Sequence, residues 1–280
     1  MHRIESTYFD SMTENPVLMA LGAGMLSWLS IAFGALFIYL KRDFSRKMMD
    51  ILFGAAGGMM LCAAFLGLLQ PAYEMSSSLG KFAFVPIIAG LVIGVVFLLA
   101  LDELLPHIHA FQGKTEGIPA SWRRSVMLVS AMALHHIPEG LSIGVSYGAA
   151  QAVSAIPDLA AGGLGAAFML TVSIMLQNVP EGLIVSTTLR AEGVSVGKSA
   201  FFGVMSGATA PLGAFLGAVG AGIAQSILPV CLAFAAGAMI YVVIEEVVPE
   251  ANADGNGNLA SVSSVVGIAL VIAISSLIGD

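Results

Sequence analysis

Charged residues are absent from several long stretches of this chain, and the lengths of those stretches predict its elements. Residues 17–40, 51–73 and 82–101 contain no Asp, Glu, Lys or Arg, and 199–244 is one uncharged run of 46 residues. About 20 apolar residues cross the hydrocarbon core of a bilayer. Each of the first three runs therefore predicts one spanning helix, the second placed at about 48–72. The long run predicts two, divided around Gly220-Ala221-Gly222 and Pro229. With 125–149, 160–189 and 259–279 the total is eight helices: an all-α integral membrane protein, read as one transmembrane domain over 1–280. The first run has an acidic approach (Glu5, Asp10, Glu14) and Lys41-Arg42 behind it, which predicts a retained span rather than a cleaved leader.

The basic residues orient the helices. Lys41, Arg42, Arg46 and Lys47 follow the first span, Lys114, Arg123 and Arg124 the third, and Arg190 and Lys198 the fifth. Only Arg3 and Lys81 lie on the other side. Nine against two puts the odd-numbered loops in the cytoplasm. Both termini are then outside, residues 1–16 form an outer tail, and 106–124 is a cytoplasmic loop that looks flexible (Gly113, Pro119) and carries histidine.

Composition adds where the excess charge lies. Hydrophobic residues make up 58% of the chain and charged ones 10%, with a formal net charge of −7; soluble domains carry roughly 25% charged residues. Six of the eighteen acids (Asp102, Glu103, Glu139, Glu181, Glu245, Glu246) fall within or at the ends of spans, with no Lys or Arg at that depth. A charge in a membrane helix costs about 2.5–3.5 kcal/mol on insertion scales and points to function. Such carboxylates either stay protonated or bind a cation. The acidic balance gives nucleic acid no purchase. Cys62 and Cys231 lie in spans and read as small apolar side chains rather than a disulfide.

One hexapeptide occurs twice, 42 positions apart: His135-His136-Ile137-Pro138-Glu139-Gly140 and Gln177-Asn178-Val179-Pro180-Glu181-Gly182. On helices, Glu139 lies one turn from both His135 and His136, and Glu181 one turn from Gln177 and Asn178. Helix four carries a polar stripe of His135, Glu139, Ser142 and Ser146; helix five carries Ser173, Gln177, Glu181 and Thr188. Consecutive helices run antiparallel, so the stripes are expected to face each other across a buried pathway. Pro138 and Pro180 free the carbonyls of Leu134 and Leu176, which need other partners in lipid; Gly140 and Gly182 allow close helix approach. A lone intramembrane histidine is more often hydrogen-bonded packing than a ligand. Two such copies in adjacent spans with no basic partner point instead to a cation site, and the repeat suggests the pseudo-twofold layout of midplane transporter sites.

Other polar positions are more ambiguous. Met60 is a soft donor, but a methionine in an apolar helix usually fills core space. Glu74, at the outer end of helix two, is either a solvated boundary charge or a cation's way in. Asp102, Glu103, His107 and His109 end helix three, as a helix-terminating cluster or as an exit for a metal that imidazole suits.

These residues resemble the signature of the ZIP (Zrt/Irt-like) divalent-metal transporters, particularly the bacterial, GufA-like branch. Supporting matches cover most of the chain: Gly57-Gly58-Met59-Met60, Pro71–Glu74, Pro106–His109, Arg190-Ala191, Ser206-Gly207, Pro211-Leu212-Gly213, Ala236–Met239, Glu245-Glu246 and Pro249-Glu250. The resemblance implies eight helices in a 3+2+3 bundle, both termini outside, and a metal held between helices four and five. It implies no enzyme and no resident cofactor: Zn²⁺ is the substrate, with Cd²⁺, Fe²⁺ and Mn²⁺ as further candidates, in the inner (plasma) membrane, with a homodimer left open.

The chain departs from the family pattern in four places. His136 stands where Asn is usual, Asn178 where many relatives have Asp, and Ala210 where two-metal relatives place Glu before Pro. Two carboxylates, Glu139 and Glu181, neutralise one dication; a second would leave about two uncompensated charges in a low-dielectric site. The expectation is a mononuclear site of His135, Glu139, Gln177 and Glu181, with Met60, His136 and Asn178 as further ligand candidates and a nitrogen-rich preference for zinc. Alternating access is expected, inward past Glu74 and outward to the cytoplasm by Asp102, Glu245, Glu246, His107 and His109. Glu245 takes a position where relatives commonly have His, and protons are expected to compete for the site carboxylates. Small-residue faces on spans one, six and seven are expected to let helix groups slide. The competing readings are a proton- or Na⁺-coupled transporter, an intramembrane metallohydrolase (His-Glu-x-x-His is absent) and a structural scaffold; the histidine doublet disfavours Na⁺.

Overall fold

The computed structural model describes residues 15–41, 44–104, 107–108, 115–116, 124–154, 160–223, 227–253 and 255–278. Within them the chain forms eight helical rods. These are α1 (Pro16–Tyr39), α2 (Arg46–Phe82), α3 (Phe84–Leu104), α4 (Arg124–Ser154), α5 (Ala160–Ala191), α6 (Val196–Ile223), α7 (Leu228–Ala251) and α8 (Gly257–Ile278). Among the described residues seven helices are long and apolar enough to cross a membrane. The remaining rod, α4, has 31 residues, and its polar stripe dilutes its hydropathy. The protein is an all-α, multi-pass membrane protein.

The rod boundaries follow local chemistry. Asn15 caps α1, its side chain accepting from the amides of Val17 and Leu18 at 3.0 and 3.3 Å, with Pro16 in the first turn. Ser45 caps α2 by accepting from Met48 N. The division expected near Gly220–Pro229 falls between Ile223 and Leu228. A second interruption, a turn at Gly207-Ala208 inside α6, had no clear signature in the hydropathy pattern. The loop read as flexible contains a short antiparallel ladder, β1 (His107–Ile108) with β2 (Thr115–Glu116), pairing His107 opposite Glu116. The His107 and His109 side chains lie outside the described residues.

Glycines decide which helices pack most closely. A Cβ on Gly140 of α4 would strike the backbone of Ala210 in α6, and one on Gly182 of α5 would strike the carbonyl of Ile31 in α1. Gly58 of α2 meets Ser264 of α8 in the same way, and Gly94 of α3 meets Phe234 of α7. The contact helices therefore fall into α1 with α5, α4 with α6, α2 with α8 and α3 with α7. Small residues were expected to provide sliding faces on spans one, six and seven. In the structure Gly34 (α1), Gly213 (α6) and Gly237 (α7) lie against the backbones of Val179, Ile137 and Leu91. The missing side chains let these backbones approach closely.

At one end of the bundle the starts of α2 and α8 are tied. Asp50, fully buried, accepts from Asn256 Nδ2 at 2.8 Å, and Arg46 Nε lies 3.5 Å from its other oxygen. Two even-numbered helices beginning at the same end is what strict alternation of consecutive crossings requires. The main core lies where α2, α4, α5 and α7 meet, with Met60, Leu68, Ile143, Ile174 and Met239 among its members.

Candidate metal centre

The two hexapeptides come together as their stripes predicted. His135, His136 and Glu139 of α4 and Gln177, Asn178 and Glu181 of α5 are all buried, none more than 3% exposed. Ser142, Ser146, Ser173 and Thr188 are buried with them. Both proline-containing helices remain continuous. Beside Pro138, the broken turn of α6 presents Thr209, whose hydroxyl donates to the carbonyl of Ala133 at 2.8 Å. A backbone group in the turn before the proline thus gains a side-chain partner.

The carboxylates occupy the centre. His135, Glu139 and Glu181 each offer a ligand atom, and these three atoms lie within 4.8 Å of one another. Two ligands on one zinc ion are separated by at most twice a bond length, about 4.2 Å. Small side-chain rotations therefore close this set around a single ion. Gln177 Nε2 donates to Glu139 Oε1 at 2.7 Å. That bond fixes one carboxylate oxygen and leaves Gln177 Oε1 buried without a hydrogen-bond partner among the described residues. Both ring nitrogens of His135 and His136 and both oxygens of Glu181 are likewise buried with no hydrogen bond. A bound ion is one arrangement that would satisfy so many buried polar atoms at once. Nitrogen, carboxylate and amide oxygen together suit a borderline dication such as zinc.

Two longer contacts extend the cluster. His136 Nε2 lies 3.4 Å from Glu181 Oε2, and His135 Nδ1 lies 3.5 Å from Glu246 Oε2 on α7. Glu246 therefore joins the centre directly. It belongs to a π-helical stretch of α7, Val243–Val247, which also carries the half-buried Glu245. Its counterpart in α2, Ala63–Leu69, directly follows Met60 and Cys62. Such widened turns re-aim side chains and are frequent at functional sites.

The remaining sequence candidates take varied positions. Met60 is buried in α2. Glu74 is exposed and accepts from Gln70 Nε2 at 2.9 Å, one turn earlier on α2. Asp102 is buried at the end of α3. Asn178 lies against Ser27 of α1, with 2.8 Å between its amide and Ser27 Oγ. Sequence reasoning passed over Ser27 and Asp50. Ser27 was one hydroxyl in a helix noted only for small residues, and Asp50 stood at a span boundary where a solvated charge is ordinary.

The chain also compares with known proteins over nearly its full length. The sequence model of the family described as ZIP Zinc transporter matches residues 112–275, which include both hexapeptides. Human zinc transporter ZIP11 is 31% identical, the alignment covering 94% of this chain and 98% of that protein. Zinc transporter GufA of Myxococcus xanthus is 33% identical over 92% of this chain and 98% of its own. For zinc transporter ZIPB of Bordetella bronchiseptica the identity is 34%, over 91% and 80% respectively. Paired Pro-Glu-Gly turns meeting around one buried donor cluster, in a chain that aligns with these transporters over more than nine-tenths of its length, place it in the ZIP zinc transporter family.

Proposed function

We propose that this protein carries a divalent transition metal, zinc foremost, from outside the inner (plasma) membrane into the cytoplasm through one ion site between α4 and α5. The observation that carries the reading is the convergence of ligand atoms of His135, Glu139 and Glu181 within 4.8 Å of one another in a buried centre. Gln177 Oε1 completes the set, with Met60 and His136 as additional donors. Glu139 and Glu181 balance one dication, Glu246 stands beyond them against His135 as the next carboxylate on the path, and Ala210 offers nothing toward a second ion. Cd²⁺, Fe²⁺ and Mn²⁺ are further substrates of the same chemistry, and no resident cofactor is needed. The metallohydrolase alternative has no support in a family of transporters.

Transport follows an alternating-access path across eight crossings in a 3+2+3 bundle, with both termini outside and the 106–124 loop in the cytoplasm. Glu74 receives the hydrated ion at the outer face. The ion exchanges most of its water for His135, Glu139, Gln177 and Glu181. Glu246, already beside His135, draws it toward Glu245 and the end of α3, where Asp102, His107 and His109 complete the exit. Protons compete with the ion at Glu139 and Glu181. The tight glycine contacts support a motion in which the α1–α5 and α4–α6 pairs each stay together. These pairs shift as units against α2, α3, α7 and α8.

The test is uptake into proteoliposomes loaded with a metal-sensitive dye and given Zn²⁺, Cd²⁺, Fe²⁺ or Mn²⁺ outside. Zinc-dependent signal is expected from wild type and lost in Glu139→Ala and Glu181→Ala. No uptake of any ion, or uptake unchanged in these variants, overturns the reading. Metal analysis of the purified protein is expected to give one zinc per chain, and two at this centre would overturn the mononuclear site.

A further inference from the structure

We propose that Ser27 and Asn178 form a positioning pair that holds the Glu139 carboxylate, so that Asn178 acts through Glu139 and not on the ion. The inference rests on the reading of this centre as a metal site.

Ser27 lies on α1, Asn178 on α5 and Glu139 on α4, and all three are fully buried. The Asn178 amide has two orientations. In one, its nitrogen meets Ser27 Oγ at 2.8 Å and its oxygen faces Glu139 Oε2 and the carbonyl of Ile174, acceptor against acceptor. In the other, the nitrogen donates to Glu139 Oε2 at 3.0 Å and to Ile174 O at 3.1 Å, while the oxygen accepts from Ser27 Oγ at 2.8 Å. Only the second pairs every group, and unpaired buried polar atoms are costly. The acceptors Glu139 Oε2 and Ile174 O therefore select the amide orientation, and the Ser27 hydroxyl, able to donate or accept, completes it by donating to the amide oxygen.

That choice completes the hold on Glu139. Gln177 already donates to Oε1 at 2.7 Å, and Asn178 now donates to Oε2. With an amide N–H on each oxygen, the carboxylate is fixed in rotation and its remaining lone pairs are left for the ion. Asn178 commits both N–H groups of its nitrogen to Glu139 and Ile174 and turns its oxygen to Ser27 on α1, so the amide meets the centre through its hydrogen bond to Glu139. Partners of this kind, one step removed from the ligands, typically carry 10–100-fold of metal affinity.

The experiment is a double-mutant cycle on zinc affinity, measured by calorimetry on purified full-length protein, with zinc KM in proteoliposomes alongside. The variants are Ser27→Ala, Asn178→Ala and the pair together. Each single change is expected to weaken zinc binding about tenfold and to raise KM in step. The double variant is expected to match Asn178→Ala, because the hydroxyl works only through the amide. Multiplying effects, about a hundredfold in the double variant, would overturn the pairing. So would a Ser27→Ala affinity equal to wild type. Thermal unfolding without zinc separates this from packing: a lower Tm with unchanged affinity also overturns it. Wild type that binds zinc but takes none up would count against transport alone, because the affinity cycle decides the pair independently.

Discussion

The Gln177 amide nitrogen reaches across from α5 to Glu139 on α4 at 2.7 Å, and this bond strands its own oxygen in the protein interior. One side chain thereby does two things. It orients a carboxylate, and it holds a neutral oxygen buried without a hydrogen-bond partner among the described residues. An amide suits this place because it adds a donor atom without adding negative charge to a centre where Glu139, Glu181 and Glu246 already gather.

Replacing Gln177 with Leu removes both functions at similar volume. Zinc affinity is expected to fall at least about tenfold, as read by calorimetry, while the protein remains folded and monodisperse. An affinity equal to wild type would remove Gln177 from the ion's surroundings.

Much of this centre was legible from residue order because helical periodicity is local. His135, Glu139, Ser142 and Ser146 fall on one face by spacing alone, and the same holds for Ser173, Gln177 and Glu181, so two facing stripes followed. The uncharged runs located the rods, since bilayer thickness fixes their length. Contacts between distant helices were not legible. Nothing near Ser27 in the sequence points to Asn178, 151 residues away. Glu246 was placed on the exit path, but its approach to His135 depends on a widened turn in α7 that no local pattern announces. The small residues were visible while their role was not. Composition shows that a glycine is present, and only the fold shows that it presses on a neighbouring backbone.

Gly182 tests that last point. A Cβ there would collide with the carbonyl of Ile31 and crowd the backbone of Ala35. Gly182→Ala is expected to destabilise by about 1–3 kcal/mol, as overpacking does, lowering the Tm in detergent. Gly220 on α6 is the control: an added Cβ meets nothing within 4 Å, so Gly220→Ala should be neutral or slightly stabilising. Equal Tm values for the two variants would contradict the packing described.

Asp50 tests the tie between the starts of α2 and α8. Asp50→Ala leaves Asn256 without its 2.8 Å acceptor and Arg46 without its carboxylate. The expected loss is about 1–3 kcal/mol, seen as a lower Tm, with zinc affinity at the α4–α5 centre unchanged. Asp50→Asn, which keeps an oxygen for Asn256, should recover part of the loss. A zinc affinity that fell with stability would show that this junction and the centre are coupled.

His136 bears on which ions pass. Its ring is fully buried, with Nε2 3.4 Å from Glu181 Oε2 and neither nitrogen in a hydrogen bond. The imidazole therefore stands beside the Glu181 carboxylate with a lone pair to offer, at a position where the family usually has an amide. Nitrogen donors favour zinc over a harder ion such as manganese, whereas an amide oxygen discriminates less. His136→Asn is thus expected to keep uptake measurable and to lower the zinc-to-manganese ratio of KM-normalised rates by at least about threefold. Lost uptake of both ions would make the ring a structural support for Glu181. An unchanged ratio would place it outside the ion's coordination, and selectivity would then rest on His135 as the sole nitrogen ligand.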